Sequence, residues 1–358
     1  MDGRVTMTAA GDIVVRHRLY AGEAPVNPEY ETTLNYLRAG DLCWASCEVQ
    51  FARSGFRTDA PIAYLVDPGV AADLGRAGFE VMTVATNHTC DFGPDAFMES
   101  LGHMRRAGIA PVGGGRNLEE AFDPFLCERN GVRIGILAVS CLVPPDYAAL
   151  ESRPGIAPAR VEQWQELHPI LLATEPGAPI PMRSRVMPGD QSEFLKRVEA
   201  LRSTVDVLIA SVHWGYGRGS PLAEYQRPFG HAIIDAGADL VLGNHSHSPA
   251  GVEMYRGKPI IYSLGNHIAQ QDRENATEVQ REIFSHIDPW SMVCSIQLTR
   301  SGVQQISFRA TETNQAGMPI LLEDPSRSEP VLRAFAEISG VLGTDLQIDG
   351  LTVRLELY

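Results

Sequence analysis

The stretch Val207-Leu208-Ile209-Ala210-Ser211-Val212-His213-Trp214-Gly215 reads as a strand that breaks into a polar loop. A helical period over Glu224–Ala236 follows, and then Leu240-Val241-Leu242-Gly243-Asn244-His245-Ser246-His247 repeats the strand-and-loop pattern. Unbroken apolar runs of this length suit strands covered on both faces, as in parallel sheets joined by crossover helices. Such strand-and-loop units put their polar loops, with the imidazoles, at one edge of a sheet.

The same pattern recurs along the chain. Val5–Ala10 ends at Asp12, Leu42–Ala45 leads to Glu48, Val81–Ala85 ends at Asn87-His88, and Ile134–Val139 ends near Ser140. Pro259–Ser263 runs into Leu264-Gly265-Asn266-His267. Helical periods over Tyr30–Ala39, Val70–Ala77, Pro94–Arg106 and Gln191–Ser203 separate these runs, with Pro94 at a helix start and Gly78, Gly108 and Gly237 at helix ends. Strand–helix alternation of this kind predicts an α/β fold. After residue 290 the pattern changes. Met292–Thr299 and Val303–Ala310 read as an antiparallel hairpin, followed by a helix over Pro330–Ser339 and a strand over Leu351–Leu357. A second sheet packed on the first gives a four-layer α/β/β/α sandwich in a single domain spanning residues 1–358. Residues 142–190 are rich in proline and weakly helical only around Ala159–Leu167. An insert of this kind predicts a lid or binding loop rather than scaffold.

Net charge is −14, which argues against a nucleic-acid or anionic-membrane surface. The start of the chain runs straight into Val5–Ala10 without the features of a signal peptide, and no apolar run is long enough to span a bilayer. A cytoplasmic protein is expected. None of the cysteines forms a CxxC pair, so buried reduced thiols are expected, with Cys47 and Cys90 as an alternative two-thiol acid/base pair.

A carboxylate, an amide and imidazoles at successive strand ends are the parts of a two-metal hydrolase or of an acid/base site. Asp12, Glu48, Asn87, His88, His213, His245 and His247 form this set, and His245-x-His247 is its most specific element, since alternate loop residues can face one centre. His17, His103, His168 and His231 read as ordinary core or surface residues.

The segments Ala10-Gly11-Asp12, Thr86-Asn87-His88-Thr89-Cys90-Asp91-Phe92-Gly93, Val212-His213-Trp214-Gly215, Ile234–Gly243 and Pro259–Asn266 occur in this order. Together they resemble the CapA-like poly-γ-glutamate capsule-synthesis family, which has the calcineurin-like metallophosphatase fold. The resemblance places Asp12, Glu48, Asn87, His213, His245 and His247 at metal-ligand-type positions, for a divalent ion such as Mn, Fe or Zn, and His88 at the general-acid position. The chain also departs from that pattern. Ser46-Cys47-Glu48 stands for Asn-Leu-Glu, Asn244-His245-Ser246-His247 for His-His-Pro-His, His267 for a terminal Phe, and Val14 for the His that metallophosphatases carry two residues after the first Asp. These departures resemble the lasso-peptide epimerase branch, typified by an enzyme that inverts a C-terminal tryptophan. The resemblance implies an isomerase acting on a precursor peptide by acid/base catalysis, with no metal or other cofactor. Asp12 is then one of the acid/base partners, with His88 or His247 opposite, and Glu48, Asn87, His213 and His245 assist. Arg16, Trp214, Arg218 and His267 are the expected substrate-binding residues. A metal-dependent phosphoesterase, or a CapA-type biosynthetic protein, is the alternative.

Overall fold

The computed structural model describes residues 3–167, 169–175, 177–217 and 221–357. The chain forms a mixed α/β structure with two large sheets. It starts in the first sheet with β1 (Val5–Val14), β2 (Leu42–Cys47), β3 (Val81–Thr83) and β4 (Ala110–Val112), all parallel. Helices α1 (Tyr30–Arg38), α2 (Gly69–Ala77) and α3 (Gly93–Arg106) link them. The chain then moves to the second sheet, with β5 (Phe125–Arg129), β6 (Val132–Ser140), β7 (Val207–His213), β8 (Leu240–Asn244), β9 (Pro249–Tyr255) and β10 (Lys258–Leu264). Strands β6, β7, β8 and β10 are parallel, while β5 and β9 close the edges antiparallel. Helices α4 (Pro188–Arg202) and α5 (Gln226–Asp235) belong to this half.

The return to the first sheet decides the topology. β11 (Asn266–Ala269) lies parallel to the end of β1, and β12 (Trp290–Thr299) pairs antiparallel with its start. β13 (Gly302–Thr313), β14 (Pro319–Leu321), β15 (Gln347–Asp349) and β16 (Thr352–Glu356) extend that side, with α6 (Pro325–Val341) between β14 and β15. The hairpin after residue 290 thus widens the first sheet. The second sheet comes instead from the middle of the chain.

One apolar core joins the two sheets, with Met7, Ala9 and Val81 from the first and Ile134, Ile209 and Leu242 from the second. A second core places Phe194 and Val198 of α4, with Phe229 and Ile233 of α5, against Leu208, Ala210 and Ile260. Alternate residues of β7 and β8 serve the two cores, which is why their sequences are apolar throughout.

Two local readings are corrected. The segment around Ala159–Leu167 is not helical: Val161–Gln165 is a strand paired with Met182–Val186. Its residues are half-buried or exposed throughout, so no buried apolar stripe holds a helix there. The last long helix begins at Pro325, capped by the Asp324 side chain, and carries Pro330 inside its first turns.

β1 meets the β10–β11 turn at very short range. A Cβ on Gly11 would lie 1.8 Å from the Gly265 carbonyl oxygen, and the Asp12 amide donates to that same oxygen at 2.9 Å. Gly265 itself has φ +83, which favours glycine. Gly11→Ala is therefore expected to destabilise the fold by about 3 kcal/mol or more. The control Gly340→Ala, which meets nothing within 4 Å in α6, should be neutral or stabilise by about 0.5–1 kcal/mol. Denaturant unfolding of both variants checks this.

Candidate active site

The polar loops gather because the strands carrying them are in register. Asp12 pairs in register with Ser46 on β2 and Asn266 on β11, so the end of β1 is flanked by both. Glu48 follows β2 and is fixed by its amide, which donates to the Ile13 carbonyl at 3.1 Å. In the second sheet His213 pairs in register with Asn244, so the ends of β7 and β8 place His213, His245 and His247 together. Asn87 and His88 arrive from the loop after β3. The ends of parallel strands from both sheets thus make one site.

Asp12 and Glu48 are completely buried. Asp12 Oδ2 accepts the His245 amide at 2.9 Å, but Asp12 Oδ1 and both Glu48 oxygens find no donor. Burial pushes the Asp12 carboxyl above the usual range, with His247 pulling it back. Burial pushes Glu48 well above that range, and the negative charges of Asp12 and Asp91 add to it. With only the His245 amide donating to the pair, burial and mutual repulsion oppose ionising both carboxyls unless a cation or an imidazolium lies beside them.

The imidazoles are shifted the other way. Burial pushes His213 and His245 well below their ordinary value and His247 below it, with Asp12 partly opposing the shift on His247. His247 Nδ1 stands 3.0 Å from Asn266 Oδ1, 3.7 Å from Glu48 Oε1 and 3.8 Å from Asp12 Oδ2. His213 packs edge-on to His245 with ring centroids 4.7 Å apart. Burial thus favours neutral imidazoles at His213, His245 and His247 and opposes ionisation of the carboxyl pair beside them.

The loop bearing these rings is strained. His245 has φ +97 and His247 φ +55, both in the left-handed region that side chains with a Cβ disfavour. Such conformations cost on the order of 1–3 kcal/mol each and concentrate at functional sites.

His88 is oriented by residues the sequence reading did not single out. Its Nδ1 donates to Asp91 Oδ2 at 2.9 Å, and Asp91 also accepts from Tyr147 Oη at 2.8 Å and the Tyr64 amide at 3.2 Å. The Tyr64 ring meets the His88 ring edge-on. This fixes one tautomer of His88 and leaves Nε2 for the site. Tyr147 belongs to the proline-rich insert, so that segment contacts the site. Asp91 lay in a quoted motif, and the offset of three residues after His88 on a loop entering a helix was its signal.

Several expected substrate-binding residues are elsewhere. Trp214 is fully buried in the second core, stacked on Tyr262 and donating from Nε1 to the Tyr262 carbonyl at 2.9 Å. It faces α5 because His213, one residue earlier, takes the site side of the strand. His267 is also buried: Nε2 bonds Tyr30 Oη at 2.8 Å, the ring packs between Tyr30 and Phe79, and burial lowers its pKa to about 3. Neither ring can reach a substrate. Arg218 lies outside the described residues. Arg16 is exposed and lines a cavity described below. Cys47 and Cys90 are both buried, and burial raises their thiols, Cys47 to about 12, so neither supplies a thiolate near neutral pH.

The donor set fits a divalent cation at one position. His213 Nε2 is 2.7 Å from Asn87 Oδ1 and 3.9 Å from Glu48 Oε2, while its Nδ1 is held by Asn244 Oδ1. With the proton on Nδ1, three lone pairs converge. Ligand atoms of Asp12, Glu48 and His213 lie within 4.8 Å of one another, as do those of Glu48, His245 and His247. A second position is poorer, because Val14 is an apolar strand residue and the Asn244 amide is engaged by His213, Ser46 and Ser211. Among the described residues, no helix is long and apolar enough to cross a membrane.

The family model of the bacterial capsule synthesis protein PGA_cap matches residues 6–271. A probable polyglutamine synthesis accessory protein of Mycobacterium tuberculosis is 31% identical over 64% of this chain and 55% of its own length. The PGA biosynthesis protein CapA of Bacillus subtilis is 27% identical over 55% of this chain and 44% of its own. The chain therefore spans about half the length of these curated relatives. A hypothetical protein from Thermus thermophilus aligns with 89% of this chain and 100% of its own at TM-score 0.42 and 15% identity.

The opposed shifts give opposite pH dependences. Depressed imidazoles contribute stability above their unfolded pKa of about 6.5, and that contribution is lost as pH falls. Raised carboxyls contribute below their unfolded pKa of about 4, and that contribution is lost as pH rises. In chelator, the three depressed rings should outweigh the raised carboxyls, and the melting temperature should fall from about pH 7.5 to about pH 5.5 as the unfolded chain's histidines take up protons that the buried rings resist. Glu48→Gln should raise stability at about pH 8 by about 1–3 kcal/mol, and give no gain at about pH 4, where both carboxyls are protonated. Melting curves across pH measure both.

Proposed function

The chain belongs to the bacterial capsule synthesis protein PGA_cap family, and from its site we propose that it is a peptide epimerase. The observation that carries this reading is the fully buried Asp12–Glu48 pair, three of whose oxygens find no donor, with His247 Nδ1 3.8 and 3.7 Å away. Inverting an α-carbon needs a base to take the proton and an acid to return one. Both are supplied at neutral pH without any prior charging. The neutral His247 accepts the α-proton, the C–H electron pair moves onto the adjacent carbonyl, and the Asp12–Glu48 pair delivers its proton to the other face of the carbon. The imidazolium and dicarboxylate that result stabilise each other across 3.8 Å, and the reverse transfer resets the site. His88, held by Asp91, and Asn87 add polar groups towards the enolate-like charge.

Two of the relatives are named for polyglutamine and PGA synthesis, which supports a polypeptide substrate. The departures at Val14, Ser46 and Asn244 support the lasso-peptide epimerase branch, with a ribosomal precursor peptide ending in tryptophan as substrate, acted on in the cytoplasm without a cofactor. The two sheets with helices outside them fit the four-layer metallophosphatase sandwich. The insert at 142–190, anchored by Tyr147, is the natural lid.

A metal-dependent phosphoesterase is the second reading, favoured by the convergent lone pairs of His213 Nε2, Asn87 Oδ1 and Glu48 Oε2. Glu48, Asn87, His213 and His245 would hold an Mn, Fe or Zn ion, which when bound supplies Lewis acidity to an attacking water.

In D₂O with chelator, a tryptophan-terminated precursor peptide should exchange its α-proton and gain the inverted residue. Asp12→Asn and His247→Ala should each slow exchange by about 100-fold or more. Phosphatase activity that requires stoichiometric metal, with no α-exchange in any condition, would replace this reading with the second.

A further inference from the structure

A cavity of about 1040 Å³ opens beside the cluster, at the side of β1 and β11. It meets the site through one residue. Asn266 is almost completely buried and lines the cavity, and its Oδ1 accepts from His247 Nδ1 at 3.0 Å. That contact commits the oxygen and turns the amide nitrogen, Nδ2, away, where it has no partner. A buried amide donor left unpaired is costly unless a ligand oxygen completes it.

The cavity mouth carries a cation. Arg16 and His17 lie just beyond the end of β1, after Val15, and both backbone amides are fixed by Gln270 Oε1, at 2.7 and 2.9 Å. Two residues on, Arg18 is consumed by a bidentate pair with Asp73. The Arg16 guanidinium forms no ion pair among the described residues, although Asp272 lies near enough to be affected by its charge. The lining also includes the apolar Leu19, Ile287 and Met318, and the acids Asp272, Glu274 and Asp288 together with Arg273. The lining therefore combines a buried unpaired donor, an exposed guanidinium without an ion pair among the described residues and several apolar side chains, in a space large enough for a few residues of peptide.

We propose that this cavity binds a carboxylate-bearing peptide, with the carboxylate on Arg16 and a backbone carbonyl accepting from Asn266 Nδ2. The proposal rests on the epimerase reading for its meaning. There, the charge that develops when the α-proton of the terminal residue leaves falls on the carboxylate that Arg16 holds, while Asn266 holds the preceding carbonyl and so orients the α-carbon. The binding claim itself is independent of that chemistry. The carboxylate has two sources in peptides of this kind, the chain terminus and a glutamate side chain.

The test is calorimetric binding of three N-acetylated pentapeptides to the full chain. One ends in tryptophan with a free carboxylate, the second is its C-terminal amide, and the third is an amide with a glutamate before the tryptophan. The terminal acid should bind at least about 10-fold more tightly than the plain amide, as expected for one charge-assisted contact. Arg16→Gln should erase that preference and Arg16→Lys should retain most of it. If the third peptide matches the first, a glutamate side chain is the source, and the site stands. Equal binding of acid and amide, no binding of any of the three, or a preference that survives Arg16→Gln would overturn the proposal. Carboxylate-selective binding with no α-exchange would leave the cavity assignment intact and remove the epimerase reading instead.

Discussion

The structure depends on a pair of carboxyl groups, Asp12 and Glu48, buried together with three oxygens that find no donor. A protein interior does not keep such oxygens charged and unpaired. Either a proton or a cation must lie among them, and each possibility defines a different chemistry. The surrounding design serves to hold the pair dry and adjacent. Strand β1 delivers Asp12, the register of β2 delivers Glu48, and the absence of any side chain on Gly11 lets the β10–β11 turn close over both.

The two sheets contribute different chemistry to this centre. The first sheet supplies the acids and the Asn87-His88 loop, and the second supplies His213, His245 and His247. Their shared apolar core sets the separation between the strand ends, so the distances between acid and imidazole follow from packing. The left-handed backbone at His245 and His247 is the local cost of aiming both rings inward. It also brings the His245 amide onto Asp12, so the strained loop and the buried acid support each other.

Much of this was legible in the residues themselves. The apolar runs ending at Asp12, Glu48, Asn87, His213 and His245 are strands, and their ends converge, because a run buried on both faces has only one exit to solvent at each end. The order of strands was less legible. The sequence after residue 290 has the alternation of an antiparallel hairpin, but nothing local says which open edge it will pair with, and it joined β1. The same limit applies to single side chains. Trp214 and His213 are neighbours in one motif, yet strand geometry sends them to opposite faces, one into the core and one into the site. His267 departs from the family pattern as a functional residue would, but Tyr30 and Phe79 enclose it. Asn266 closed a recognisable strand-end segment, but its role was not legible there, because it follows from a hydrogen bond to a residue nineteen positions earlier.

The central claim is that the Asp12–Glu48 pair carries a proton at neutral pH. Infrared difference spectroscopy of the metal-free protein against Glu48→Gln reads that proton directly, through the stretch of a protonated carboxyl. The account predicts that band in the wild type near neutral pH and its loss in the variant. Two ionised carboxylates with no such band would contradict it.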